Sequence, residues 1–453
     1  MTKTSSDSHT GSAQTIAARL DRLPVGRWHR ALVAVVGLGC FFNFFEVAIG
    51  TLMVPLLPAG WVATTWKTSL IIGSTFAGEL VGALALTPLA DRFGRRRMFQ
   101  INLVGYAALA VVCAFSTDAT MLIALRFALG VGLGAELALA DAYLAELLPP
   151  SHRGRLATRA YAFGMLAVPA AGALATLLPH TMAGLASWRW LLLFSSPGAV
   201  IIWLLRRRLP ESPRWLLSRG RADEAELALS AIEVRATGAS GAPVTTSVPV
   251  AAETEPAPRL LRPPLLGRTV LTCLLETLGP VGFYGFASIA PLALLHKGFT
   301  VVESLGYTAV TALGYPAGAA LLTLVVDRVQ RRTLTIAASL GVAGFGVVFG
   351  LAGTTWLVVT AGIATSLLSV IQATVSRTYS AELFPTAVRS TILGRTYALS
   401  RLVAAILPLG ALTVLTALGP GILYLLCAAL IIAMSLSVAV LGPRTNATRL
   451  EDV

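Results

Sequence analysis

Twelve stretches of this chain are too long and too apolar to lie in water. They run roughly over 30–57, 69–90, 98–116, 119–147, 157–179, 188–206, 268–295, 303–326, 333–352, 355–380, 391–415 and 419–441. A helix needs about 20 apolar residues to cross a bilayer. In lipid, a helix satisfies its own backbone. The implied fold class is an all-α membrane protein with twelve transmembrane helices. Composition excludes a large soluble enzyme, because only 13% of the 453 residues are charged, about half the share of a soluble domain. The 41 glycines suit helices that approach closely in lipid.

The charges that remain are placed unevenly. The net charge of +13 comes almost wholly from arginine, with Lys3, Lys67 and Lys297 the lysines. Arg19, Arg22, Arg27 and Arg30 precede span 1. Arg92, Arg95, Arg96 and Arg97 separate spans 2 and 3, and Arg153 and Arg155 separate spans 4 and 5. A long basic segment follows span 6. Arg328, Arg331 and Arg332 separate spans 8 and 9, and Arg389 separates spans 10 and 11. The alternate connections carry little positive charge. The positive-inside rule then places both termini in the cytoplasm, in a multi-pass protein of the cell (inner) membrane. Basic charge in this pattern sets orientation, so no nucleic-acid partner is expected. The polar, basic first 30 residues and the long first run are not those of a cleavable signal peptide. Cys40, Cys113, Cys273 and Cys427 all fall in apolar runs, without CxxC spacing. They read as small hydrophobes, with no metal and no cofactor implied.

The chain divides into a tail (1–29), six spans (30–206), a linker (207–266), six more spans (267–442) and a second tail (443–453). The linker opens with an amphipathic helix pattern. It ends in a Pro/Ala/Thr/Ser stretch that has nothing to build a core and is expected to be disordered. The two halves are copies. Asp91-Arg92 and Asp327-Arg328 lie 236 positions apart, 327 less 91. AELLPPSHR (145–153) and AELFPTAVR (381–389) keep that offset, as do Arg159 with Arg395 and Tyr161 with Tyr397. Parallel repeats of six spans form two pseudo-equivalent bundles, a known transporter architecture.

PLADRFGRRR (88–97) resembles the loop 2–3 motif of the major facilitator superfamily, and RFALGVGLGAEL (126–137) resembles its span-4 motif. PESPRWL (210–216) and the E-x-x-P-x-x-x-R-G pattern at 146–154 resemble the sugar-porter branch in its wide sense. That branch includes metabolite:proton symporters, nicotinate-permease-like carriers and synaptic-vesicle-like proteins. In the second copy, Gln330 stands where the first has Gly94. The resemblance implies alternating access, with rim charges that latch the halves in one state and part in the other. The residues expected in that latch are Asp91, Arg92, Gly94, Arg95, Glu146, Arg153, Glu211, Arg214, Asp327, Arg328, Glu382 and Arg389. Glu146 is expected to pair with Arg153, and Glu382 with Arg389.

Ionisable residues inside spans are costly and are functional candidates by default. At about 1.5 Å per residue, Glu46 lies roughly 25 Å across span 1 and Arg126 about 10 Å below the outer end of span 4, at compatible depths. In the superfamily both spans line the cavity. A buried carboxylate that exchanges its proton for an arginine couples protonation to gating. Glu46, Arg126 and Glu136 are therefore the proton-coupling candidates. Asp141 lies about 140° round the helix from Glu136, so only one of those two faces the cavity squarely. The substrate candidates are Asn43, Phe45, Tyr284 and Arg401, the arginine suiting either a substrate carboxylate or, the favoured reading, an acid of the protein itself. The implied function is a proton-coupled symporter of a small organic acid, aromatic acid or sugar-like solute, expected to act as a monomer in the lipid bilayer. GMLAVPAAGA (164–173) loosely resembles an antiporter motif and keeps an exporter open. A non-transporting receptor is a remote third reading. No nucleotide loop, metal cluster or nucleophile motif points to an enzyme.

Overall fold

The computed structural model describes residues 16, 18–237, 265–326, 328–384 and 386–443, without the side chains of 87, 91, 138, 150, 151 and 386–391. Asp327, the Pro/Ala/Thr/Ser part of the linker and the last ten residues lie outside the described residues.

Among the described residues, eleven helices are long and apolar enough to cross a membrane. They make twelve spans, because the last helical run, Thr386–Leu441, breaks at Gly419, where φ is 83°. Spans 1 to 4 are Arg27–Leu52, Thr65–Phe93, Arg95–Ala114 and Ala119–Leu147. Span 5 is broken into Pro150–Gly164 and Ala167–Leu177, and span 6 is Ser187–Arg206. In the second half, span 7 is Leu265–Ala287 continued by Ala290–His296, and span 8 is Val301–Thr311 continued by Gly314–Val325. Spans 9 and 10 are Arg331–Leu351 and Thr355–Glu382, and spans 11 and 12 flank Gly419.

Local chemistry fixes where the helices begin. Asp118 Oδ1 accepts from the Thr120 and Met121 amides at 2.8 and 2.9 Å, an N-cap that starts span 4. Thr300 and Glu303 form a capping box on span 8. Gly94 joins spans 2 and 3 at φ +102°, a conformation costly to any side chain with a Cβ. Its repeat equivalent, Gln330, sits at φ −56°. The second copy makes its turn with ordinary backbone, so it tolerates glutamine.

The connections 2/3, 4/5, 6/7, 8/9 and 10/11 share one face with the start of span 1 and the end of span 12. This is the basic face, and the opposite one is the far face. The linker's helical part lies on the basic face as Pro213–Ser218 and Ala222–Thr237. The segment before span 1, expected only as a tail, is helical at 18–22. Its Ile16 and Leu20 join Ala225, Leu229 and Ile232 in one buried cluster. Arg19 pairs with Glu226 at 2.5 Å and Glu233 at 2.7 Å. The i, i+4 apolar spacing, which sequence analysis passed over, gives this short helix a face to bury.

On the far side of the midplane the two bundles touch directly. A Cβ on Gly73 of span 2 would stand 2.4 Å from the Ala405 carbonyl of span 11. The Ser69 hydroxyl donates to the Pro408 carbonyl at 3.1 Å. Gly172 of span 5 lies against the Ala309 backbone of span 8, and the Phe76 and Tyr284 rings meet edge-on at 4.9 Å.

Candidate functional site

Below that seal, on the basic side, the bundles part around a cavity of about 510 Å³. Its walls come from the basic-face halves of spans 4, 5, 7, 8, 10 and 11, with Phe44 of span 1. Its charged lining residues are Asp141, Glu276, Arg377 and Arg401, with Tyr161, Tyr284 and Tyr397 among them.

Arg401 stands at the inner end. Its Nη1 donates to Glu79 Oε2 of span 2 at 2.7 Å, an ion pair between the bundles that is almost fully buried. The guanidinium lies 5.0 Å from the Tyr284 ring and 4.9 Å from the Tyr397 ring. The tyrosine faces stabilise a cation here that is also neutralised by a carboxylate.

Glu46 and Arg126 sit in the N-terminal bundle, both fully buried. A Cβ on Gly50, one turn beyond Glu46, would collide with the Arg126 guanidinium. Arg126 Nε donates to the Ile71 carbonyl at 3.2 Å. Its two terminal nitrogens and both Glu46 oxygens have no hydrogen-bond partner among the described residues. Ser195 stands beside Glu46 but gives its proton to the Leu192 carbonyl at 2.7 Å. The two expected partners are thus adjacent in depth and face without a closed ion pair.

Glu136 lies elsewhere. It forms a buried ion pair with Arg206 of span 6 and accepts from Asn102 Nδ2 at 3.4 Å. The Arg206 guanidinium covers the Phe99 ring at 4.2 Å. The pair is sunk among spans 1, 3, 4 and 6, away from the cavity. Of the two acids on span 4, Asp141 is the one that faces the cavity. Asn43 is also packed within the bundle, donating to the Leu133 carbonyl at 3.0 Å. Phe45 is buried near Phe41 and Phe42, and the cavity takes Phe44 instead. Tyr284 and Arg401 do line it.

The rim charges pair differently from expectation. Glu146 takes Arg95 at 3.1 Å rather than Arg153, which donates to the Leu148 carbonyl at 3.3 Å. Glu382 takes Arg331 at 3.3 Å. The Arg389 side chain lies outside the described residues, as does that of Asp91. The two observed pairs are repeat equivalents. Each stays inside its own bundle, because Arg95 and Arg331 start spans 3 and 9, directly beside the ends of spans 4 and 10. Glu211 accepts from the Arg96 amide at 3.1 Å, which caps span 3. Burial pushes its carboxyl above the ordinary range against the pull of those amides. Arg214 reaches Asp21, ahead of span 1, at 2.5 Å. Arg92 lies over the Phe93 ring at 5.4 Å, and Arg328 is exposed. Among the described residues, the ion pairs that cross between bundles are Arg401–Glu79 and Arg377–Asp141. Sequence analysis missed Arg377 and Arg206. The repeat offset holds a signal for the first, since it sets Arg377 opposite Asp141. Arg206 carries none, because it reads as part of the basic run RRR that closes span 6.

Comparison with known proteins agrees with this architecture. The family model described as "Sugar (and other) transporter" matches residues 54–453. The chain is 28% identical over 445 residues to the niacin transporter NiaP of Acinetobacter baylyi, covering 97% of this chain and 99% of that protein. It is 30% identical to the putative metabolite transport protein YdjK of Escherichia coli, covering 96% of each. Among solved structures it resembles the partially occluded inward open conformation of the xylose transporter XylE from E. coli. That match has a TM-score of 0.75 at 20% identity, over 93% of this chain and 99% of that one.

Proposed function

The chain belongs to the sugar (and other) transporter family and is a multi-pass membrane transporter of a small molecule rather than an enzyme; on that premise we propose that it is a proton-coupled symporter of a small carboxylate metabolite. The observation that carries the coupling is the unclosed pair of Glu46 and Arg126. A carboxyl sunk in a low-dielectric bundle is held neutral by its proton. When the proton leaves, the carboxylate is drawn to the terminal nitrogens of Arg126, which have no hydrogen-bond partner among the described residues, and a charge-assisted bond replaces the neutral arrangement. Glu46 is on span 1 and Arg126 on span 4, so loading and unloading the proton changes how these helices fit. That gives a two-state carrier the differential free energy it needs.

The basic face is the cytoplasmic one by the positive-inside rule. The cavity then opens to the cytoplasm, and the contacts of spans 2 with 11 and 5 with 8 close the outer side. Both chain ends are cytoplasmic, and the membrane is the cell (inner) membrane. Arg377 on the cavity wall, which makes no hydrogen bond to a described residue, favours a carboxylate over a neutral sugar, and the relative named as a niacin transporter makes a ring carboxylate the first compound to try.

The test is uptake of labelled nicotinate and benzoate into proteoliposomes, with and without an inward proton gradient. Wild type is expected to accumulate at least one of them when the gradient is imposed. Glu46→Gln is expected to lose accumulation while still exchanging substrate across the membrane. Gradient-driven accumulation undiminished in Glu46→Gln would remove Glu46 from the coupling. Gradient-driven expulsion in wild type would make the protein an exporter.

A further inference from the structure

The duplication that built the two bundles put opposite charges at one equivalent position. Asp141 lies five residues before Glu146 and Arg377 five before Glu382, and 377 less 141 is again 236. Tyr161 and Tyr397 keep the same offset. In each bundle the tyrosine supports the charge of its own copy. The Tyr161 hydroxyl donates to Asp141 Oδ1 at 2.7 Å, and the Arg377 guanidinium lies 5.4 Å from the Tyr397 ring centre. All four side chains line the cavity.

The two charges meet across it loosely. Arg377 Nη2 is 3.8 Å from Asp141 Oδ2, and the side chains stay 49% and 48% exposed. That distance is too long for a hydrogen bond, and a half-exposed pair of this kind is weak. Arg401 is the opposite case, buried and bonded to Glu79 at 2.7 Å. Of the two arginines on the wall, one is committed to a protein carboxylate. The other makes no hydrogen bond to a described residue and stays half-exposed on the cavity wall.

We propose that Arg377 is the anion-binding residue of the transport site and that a substrate carboxylate takes Arg377 over from Asp141. A guanidinium fork holds a carboxylate through two parallel bonds, which the single long contact to Asp141 does not match. The aromatic faces of Phe283, Tyr284 and Tyr397 then receive a flat or apolar body beside the carboxylate. Glu276 lines the same cavity and repels a second negative charge, so the ligand class is a monocarboxylate. The exchange also parts the link between spans 4 and 10, so binding bears directly on how the bundles separate.

This inference rests on the carboxylate-symporter reading, and one experiment separates their failures. Full-length protein in lipid nanodiscs is titrated with nicotinate and benzoate, the neutral nicotinamide and the dicarboxylate terephthalate. Wild type is expected to bind at least one monocarboxylate and to reject the amide and the dicarboxylate. Arg377→Met is expected to lose at least tenfold in affinity for that ligand. Arg377→Lys, which keeps the charge and guards against misfolding, is expected to lose several-fold because the fork is gone. Asp141→Asn is expected to gain several-fold, because the internal competitor is removed. A purely structural bridge would instead make Asp141→Asn bind no better. If wild type binds no carboxylate, the symporter reading falls and this one with it. If wild type binds but Arg377→Lys and Arg377→Met bind equally well, or Asp141→Asn gains nothing, only the present inference is overturned.

Discussion

In the N-terminal bundle Glu46, Glu79, Arg126, Glu136 and Arg206 are sunk among the helices and Asp141 alone of the in-span charges described there reaches the cavity, while in the C-terminal bundle Glu276, Arg377 and Arg401 all stand on the cavity wall. Arg126, Glu136 and Glu79 have Gly362, Gln372 and Tyr315 at the same repeat positions in the second copy, 236 residues on. The interior of that copy is held by neutral polar groups. The Ser369 hydroxyl donates to the Gly282 carbonyl at 3.1 Å, and Gln372 reaches the Met434 sulfur at 3.6 Å. Neutral donors bond in place and keep one charge state at every working pH. Buried carboxylates gain and lose protons, while guanidiniums stay charged and exchange partners. One copy is therefore equipped to change charge state inside itself, and the other to present fixed charge to a ligand.

Replacing Arg206 by alanine is the strongest test of the ionic core, because it leaves Glu136 buried without its cation. Removing one partner of a buried pair costs about 3–5 kcal/mol, so the melting temperature is expected to fall sharply or the protein to fail to assemble. The matched Glu136→Gln, Arg206→Met double variant is expected to recover much of the loss. A single variant as stable as wild type would show that the N-terminal bundle does not depend on this pair. At the Gly94 and Gln330 turns the copies differ in backbone instead. Gly94→Ala places a Cβ at φ +102° within 2.6 Å of Glu211 Oε2 and is expected to cost roughly 1–3 kcal/mol. Gln330→Ala, at φ −56°, is expected to be nearly neutral. Thermal unfolding of the two variants side by side decides it, and equal losses would contradict the difference read here.

The smallest effect is one of pH. The Glu211 carboxyl is raised above its ordinary 4.5 by burial. A raised acid contributes stability at low pH that is lost as pH rises through the folded-state value. Wild type is therefore expected to gain on Glu211→Gln as pH falls from neutral toward 4.5. A difference that stays flat over that range would mean Glu211 is not buried at the rim. At the repeat offset of 236 the second copy has Ala447 in place of Glu211, a side chain that does not titrate.

Several of the buried or cavity-lining charges were legible in the sequence because they announce themselves against an apolar background. Glu46, Arg126, Glu136, Asp141 and Arg401 are conspicuous as charges inside spans, and helix geometry separates the faces of Glu136 and Asp141. Which acid meets which arginine was not legible. Glu146 chose Arg95 over Arg153, and Arg401 found Glu79, 322 positions away. Sequence spacing is informative along a single helix, whereas these partners are set by how separate helices lie side by side. Arg377 was overlooked because it sits five residues from a motif glutamate and reads as another rim charge.

The sequence by itself determined the twelve spans and the duplication, since both follow from local quantities: the length of an apolar run and a constant offset. Tertiary structure alone decided which charges are neutralised and which remain open to a ligand. That depends on distances of a few ångströms between helices hundreds of residues apart, where a shift from 2.7 Å at Arg401 to 3.8 Å at Arg377 separates a locked ion pair from an available one.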